Sequence, residues 1–269
     1  MKLTILGAGA GACVPGTSTE NLYPPAFLVE WDDQKILFDC SEGVRFRLEK
    51  AGHLLETIHH LAISHSHADH FAPLPFLLGI FLKGQWGGEK ARNEALNIYC
   101  PDAIAKDFPV LWGIHWKKMD YHSFPKLQFH SMSKKEDPIV IGNALLFSNS
   151  AYHSYGNLDA LCYRFETPSG VFVYSGDTGD CEGVRIACKD ADFFVCESSA
   201  RLTDSSMATQ YGHLNARQAG EIAKSSGVKH LILFHYSGLD SDDALIDAVK
   251  ESGFAGRLTV GKDSQTFEV

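Results

Sequence analysis

The chain has no Cys-x-x-Cys pair, no long apolar run, no low-complexity stretch and no basic excess. Its seven cysteines, Cys13, Cys40, Cys100, Cys162, Cys181, Cys188 and Cys196, are odd in number and scattered. That excludes a disulfide framework and fits free thiols buried in a reducing compartment. Cys13 alone, in a glycine-rich loop, is expected to be exposed. No window reaches the roughly 18–20 apolar residues of a membrane span. The opening MKLTILGAGAGACVPG carries one lysine and an apolar stretch shorter than a signal-peptide core. The expectation is a cytoplasmic protein with no membrane partner. Lys and Arg total 24 against 33 Asp and Glu, for a formal net charge of −9. A protein that grips many phosphates needs a cation at each contact. The balance therefore predicts a small anionic substrate and disfavours a nucleic-acid partner.

What is present is ordinary globular material, 269 residues with 45% hydrophobic content, enough for a large core. Short β-prone runs are predicted at 2–6, 26–31, 34–39, 61–64, 96–100, 139–148, 161–166, 171–174, 193–197, 231–234, 258–260 and 266–269. Asp32-Asp33 and Pro168-Ser169-Gly170 read as hairpin turns. Helical spacing is seen over 42–51, 102–113, 184–189, 215–226 and 242–252, with caps at Asn215 and near Ser241. A helix is also expected after Pro73 and Pro75. Residues 114–137 mix aromatic, His and Lys side chains without a clear period. Hairpins alternating with single helices predict an α/β fold, more antiparallel than a doubly wound sheet. One domain over 1–269 is expected, its two similar halves meeting near 145.

The most informative stretch is His65-Ser66-His67-Ala68-Asp69-His70, four potential ligands within six residues after a β-prone run. In extended chain, residues two apart point to the same side, so His65 and His67 can aim at one metal. After a turn, Asp69 and His70 can face a neighbouring point. Imidazole and carboxylate suit zinc, and a catalytic site keeps room for water.

This motif resembles the signature of the metallo-β-lactamase superfamily, and later matches extend the resemblance over nearly the whole chain: Tyr152-His153-Ser154, Ser175-Gly176-Asp177-Thr178 and Leu233-Phe234-His235. The resemblance implies a four-layer αββα sandwich, two mixed sheets flanked by helices, with metals at one edge. It implies that His65, His67, His153 and Asp177 hold one divalent ion, and Asp69, His70, Asp177 and His235 another, Asp177 bridging. Zinc is the expected ion, with manganese as the alternative. Asp39 resembles a carboxylate that accepts a ring N–H from a ligand histidine.

Within the superfamily the chain is similar to the tRNase Z-like phosphodiesterases. Pro73-Leu74-Pro75-Phe76-Leu77-Leu78, Ser175-Gly176-Asp177-Thr178, Glu197-Ser198-Ser199 and Gly212-His213-Leu214 carry this. There are departures. Only residues 154–176 separate His153 from Asp177, so the flexible arm of the tRNA-processing enzymes is absent. Their His-Phe-Ser-x-Arg-Tyr stands here as His235-Tyr236-Ser237-Gly238-Leu239-Asp240.

The implied reaction is phosphodiester hydrolysis by a metal-bridging hydroxide that Asp69 orients. His213, paired with Glu197, would protonate the leaving alkoxide. Ser237 and the loop Gly9–Gly11 are candidate donors to phosphate oxygens. The alternatives are tRNA 3′ processing, a thioesterase or lactonase on the same scaffold, and a non-catalytic metal-binding protein. Dimerisation is common in the resembled branch. The aromatics of 80–124 (Phe81, Trp86, Trp112, Trp116, Tyr121, Phe124, with His115 and His122) are read as core, a substrate-side lid or a dimer surface.

Overall fold

The computed structural model describes residues 1–11, 14–86, 94–116, 126–133, 137–203 and 210–269. Cys13 and most of the 80–124 aromatics therefore lie outside the described side chains. Trp112, which is described, is half-buried and packs against Phe108 at the margin of the core, with ring centroids 6.5 Å apart.

Two seven-stranded sheets form the body. The first contains β1 (Lys2–Gly7), β2 (Ala26–Trp31), β3 (Gln34–Phe38), β4 (His60–Ala62), β5 (Leu96–Cys100), β6 (Leu127–Ser131) and β14 (Thr266–Glu268), in the order β14-β1-β2-β3-β4-β5-β6. The second contains β7 (Ile139–Ile141), β8 (Ala144–Ser150), β9 (Leu161–Thr167), β10 (Gly170–Tyr174), β11 (Phe193–Glu197), β12 (His230–Phe234) and β13 (Arg257–Val260), in the order β13-β12-β11-β10-β9-β8-β7. Each sheet is mixed. β1, β2 and β3 pair antiparallel and β3 to β6 parallel, while β7 to β10 pair antiparallel and β10 to β13 parallel.

Period-two alternation explains the layering. Ile36 and Phe38 of β3 face the second sheet, where they meet Phe165, Phe172 and Tyr174, while Leu37 between them faces outward. On β12, Ile232 and Phe234 face inward and Leu231 and Leu233 outward. The outward residues of the first sheet are covered by α1 (Val44–Lys50), α2 (Pro73–Trp86) and α3 (Asp102–Trp116). Those of the second are covered by α4 (Glu182–Ala187), α5 (Ala216–Ser225) and α6 (Asp242–Glu251). The result is the αββα sandwich. Phe27, Phe38, Phe165, Phe172, Tyr174 and Phe234 are fully buried between the sheets, each such ring contributing about 1.5–3 kcal/mol relative to exposure.

Most predicted elements stand within a residue or two. The Asp32 hairpin turn takes a positive φ of 47°, and Ser241 caps α6 by accepting the Ala244 N–H. Three readings differ. The sequence does not mark β6, because three of its five residues are only half-buried and two are exposed, which leaves a weak pattern. Helix α3 continues to Trp116 through Pro109. The β4 ladder stops at Ala62, so His65 and His67 project from chain beyond the sheet's end. No helix among the described residues is long and apolar enough to cross a membrane.

Candidate metal centre

The strands that carry the motifs end at one edge of the sandwich, where parallel sheets place their sites. Beyond β3 stands Asp39; beyond β4, residues 65–70; beyond β8, His153; beyond β10, Asp177; at the end of β11, Glu197; beyond β12, His235. Asp39 and His235 both adopt left-handed backbone, with φ of 57° and 55°. This conformation costs a non-glycine residue about 1–2 kcal/mol and persists where the surroundings over-determine it. The His235 N–H is tied to the Ala8 carbonyl at 2.7 Å.

The structure brings all seven predicted ligands together. His65, His67, His153 and Asp177 form one group with ligand atoms within 4.8 Å of one another, and Asp69, His70 and His235 form a second. Asp177 reaches both: its Oδ2 lies 3.9 Å from His65 Nε2 and from His153 Nε2, and its Oδ1 lies 3.2 Å from His70 Nε2 and 3.5 Å from His235 Nδ1. Asp69 Oδ2 is 3.2 Å from His235 Nε2. Gly11 packs so closely on Asp69 that a Cβ there would fall 2.6 Å from Oδ2.

Whether these donors suit divalent cations is answered by their bonding. His65 Nε2, His70 Nε2, Asp177 Oδ1 and His235 Nδ1 are buried and have no hydrogen-bond partner. Buried polar atoms are normally paired. Four such atoms gathered at and around the Asp177 carboxylate are what a cation site requires, and imidazole with carboxylate suits zinc-like divalent ions.

The electrostatics favour the neutral, ligating form at three of the histidines. Burial pushes the imidazoles of His65, His67 and His153 below the usual range, toward the neutral form that ligates. Burial opposes charge on His70 too, but Asp177 and Asp39 outweigh it and hold its pKa well above the usual value. Asp69 is brought down to about 2, burial being overcome by its hydrogen bond to His235 and by His70.

The ligands are held from behind. Asp39, fully buried, accepts from His70 Nδ1 at 2.7 Å, from the Ser64 N–H at 2.7 Å, from Ser64 Oγ at 2.8 Å and from Tyr174 Oη at 2.5 Å. His153 Nδ1 donates to the Gly212 carbonyl at 2.9 Å. These contacts fix tautomer and ring orientation. Arg47 was not singled out from sequence, since a charged residue in a helix reads as solvent-facing. It is only 6% exposed and donates to the carbonyls of Leu6, Pro24 and Glu42 and to Ser41 Oγ. It thereby clamps the glycine-rich loop to the segment that follows Asp39.

Beside the cluster stands a second pair. His213 Nδ1 donates to Glu197 Oε1 at 2.8 Å. Glu197 is fully buried and also accepts from the Thr178 N–H, the Ser199 N–H and Ser199 Oγ. Burial would depress the His213 pKa, but the Glu197 carboxylate raises it to about 9. The His213 ring lies 4.8 Å from that of His153 and 5.9 Å from that of His235, centroid to centroid. Asp177, His213 and His235 form a third potential ligand group. Gly212 precedes His213 at φ 97°, against the Tyr152 carbonyl, where a Cβ would sit 2.4 Å away. The reciprocal capping of Asn215 and Gln218 starts α5 just beyond.

Of the predicted phosphate donors, the Gly9 N–H is given to the Tyr23 carbonyl at 2.9 Å, whereas Ser237 Oγ accepts from the Leu239 N–H at 3.3 Å, a contact that does not use its O–H.

A model described as "Beta-lactamase superfamily domain" matches residues 34–236. The chain is 30% identical to ribonuclease Z of Picrophilus torridus, over 90% of this chain and 87% of that one. In structure it resembles the metallo-beta-lactamase fold protein YhfI of Bacillus subtilis, with a TM-score of 0.80 and 22% identity over 99% and 98% of the two chains. It also resembles the short form of human tRNase Z, with a TM-score of 0.75 and 19% identity over 100% and 99%. The chain belongs to the beta-lactamase superfamily and, within it, to the ribonuclease Z-like branch. It is a metal-dependent hydrolase.

This overturns the expectation that nucleic acid is disfavoured as a partner, since the relatives are ribonucleases by name. The physical reason is that a formal charge of −9 averages over the whole surface. It omits the positive charge of bound ions, which can be the largest local charge at a site.

Proposed function

We propose that this chain is a divalent-metal phosphodiesterase whose substrates include RNA, and that zinc is its resident ion. His65, His67, His153 and Asp177 would hold one ion, and Asp69, His70, Asp177 and His235 the other. When bound, the ions supply Lewis acidity, lowering the pKa of water and neutralising charge on phosphate oxygens. Asp69 stays ionised and accepts a hydrogen bond from the attacking water, orienting it toward phosphorus. His213 is the general acid. Its Nδ1–H is committed to Glu197, so the proton for the leaving alkoxide comes from Nε2. Glu197 stabilises the imidazolium and fixes the ring.

The His213–Glu197 pair carries this reading. An alkoxide is a poor leaving group and gains from protonation, and the buried Glu197 carboxylate at 2.8 Å orients the His213 ring and favours its protonated form. Thioester cleavage, whose thiolate leaves readily, has less need of such a pair.

The test is hydrolysis of bis(p-nitrophenyl) phosphate and of a precursor tRNA by protein loaded with zinc or manganese, with a thioester and a lactone as comparisons. Turnover of the phosphodiesters, lost in His213→Ala while metal content is intact, supports the reading. Failure of folded, metal-loaded protein to cleave either phosphodiester refutes it.

A further inference from the structure

Directly after the ligand His153, three consecutive residues take left-handed backbone: Ser154 at φ 52°, Tyr155 at φ 58° and Gly156 at φ 73°. The turn is closed by the Gly156 N–H to the His153 carbonyl at 2.9 Å and the Asn157 N–H to the Ser154 carbonyl at 3.0 Å. Left-handed backbone is sterically disfavoured for both non-glycine residues. Such strain is a reason to ask what the turn presents. It presents an aromatic ring to solvent: Tyr155 is 58% exposed.

The ring is braced. Tyr155 meets Tyr211 edge to face, with centroids 5.2 Å apart. Tyr211 in turn stacks on His213 at 5.3 Å and 19°, and touches His153 edge-on at 5.3 Å. His213 stacks on His235 at 24°. A continuous run of rings therefore leads from the ligand cluster, past the general acid, to an exposed tyrosine. The segments carrying it are pinned to each other by the Tyr152 hydroxyl, which donates to the Gln210 carbonyl at 3.2 Å, and by His153 Nδ1 on the Gly212 carbonyl. A rigid, partly wet aromatic face beside a phosphate centre suits a planar group, because every nucleobase has a π-face to stack.

We propose that Tyr155, braced by Tyr211, is a stacking platform for a nucleobase esterified through the phosphate that the centre holds, and so determines specificity. This deepens the phosphodiester reading and rests on it. Stacking of this kind changes affinity roughly 5- to 150-fold per base on alanine substitution.

The test uses the metal-loaded protein and two probes, adenosine 5′-monophosphate and ribose 5-phosphate, with binding followed by calorimetry. Wild type should bind the nucleotide at least fivefold more tightly than the sugar phosphate. Tyr155→Ala should weaken the nucleotide about tenfold and leave the sugar phosphate within twofold. Tyr155→Phe should keep both, since the ring and not the hydroxyl stacks. Equal affinity of the two probes for wild type, binding of neither, equal losses for both in Tyr155→Ala, or loss in Tyr155→Phe would each overturn the platform. Base-dependent binding without hydrolysis of any phosphodiester would leave the platform standing and remove the reaction assigned above.

Discussion

Asp39 touches no predicted reacting atom, yet it is the group on which the second half of the ligand set leans. It is fully buried and accepts four hydrogen bonds, from the Ser64 N–H, Ser64 Oγ, His70 Nδ1 and Tyr174 Oη. Asp39→Ala leaves all four donors without their acceptor, each unsatisfied donor costing about 1–3 kcal/mol. Ser64 and Tyr174 hydroxyls can rotate and recover part of this. The net loss is expected near 4 kcal/mol, as for breaking a buried charged pair. That is a large share of a total stability of about 5–15 kcal/mol.

Asp39→Asn keeps the volume but removes the charge and sets an NH₂ against at least one donor. It should cost about half as much and leave the fold intact. Its effect should fall on the metal: with the His70 ring no longer oriented by a carboxylate, affinity for one ion should drop about 10- to 100-fold. Chelator competition with elemental analysis reads the affinity, and denaturant unfolding reads the stability. An Asn variant that holds both ions as tightly as wild type, at unchanged stability, would refute the reasoning.

His213→Ala should lower kcat about 10²- to 10⁴-fold on phosphodiesters with alkoxide leaving groups, with ion content retained. Glu197→Gln should act through the same step, so the double variant should be far from additive in steady-state kinetics. Additive losses would separate the two residues. His230 is buried, hydrogen-bonds Thr259 and has its pKa lowered to about 4 by burial and then Arg257. The folded state therefore takes up its proton later than the unfolded chain, whose His titrates near 6.5. Stability is fully present above pH 6.5 and is lost as pH falls through 4, by at most about 3 kcal/mol. His230→Gln should flatten that acid limb in unfolding titrations, and an unchanged limb would contradict the assignment. Binding of a precursor tRNA should weaken with salt, log K falling linearly with log salt as phosphate contacts release counterions. A salt-independent affinity would contradict an RNA substrate held through its phosphates.

How much of this was legible beforehand depends on how local each signal is. Four ligating residue types in positions 65–70 are adjacent in the chain, so the cluster can be read directly. His153, Asp177 and His235 are single residues at strand ends and acquire meaning only through family resemblance. Unbroken apolar runs at Ile36–Phe38 and Leu231–Phe234 mark strands with two covered faces, and Asn215 with Gln218 marks a helix start, since each pattern is set by neighbouring residues. β6 escaped because its residues are only half covered. Arg47 escaped because burial of a guanidinium depends on carbonyls from two distant segments, at Leu6 and Pro24. The proposed Tyr155 platform rests on left-handed backbone at Ser154 and Tyr155, residue types with no preference for that conformation. The preference against nucleic acid failed because a chain-wide charge was used to judge one local surface.

The central claim is that two divalent ions sit where His65, His67, Asp69, His70, His153, Asp177 and His235 converge. Elemental analysis of folded, dialysed protein measures it most directly. The account predicts close to two ions per chain in the wild type and loss of both in Asp177→Ala, whose carboxylate faces both groups. Folded wild-type protein with no stoichiometric divalent ion, or an Asp177→Ala variant that keeps both, would contradict it.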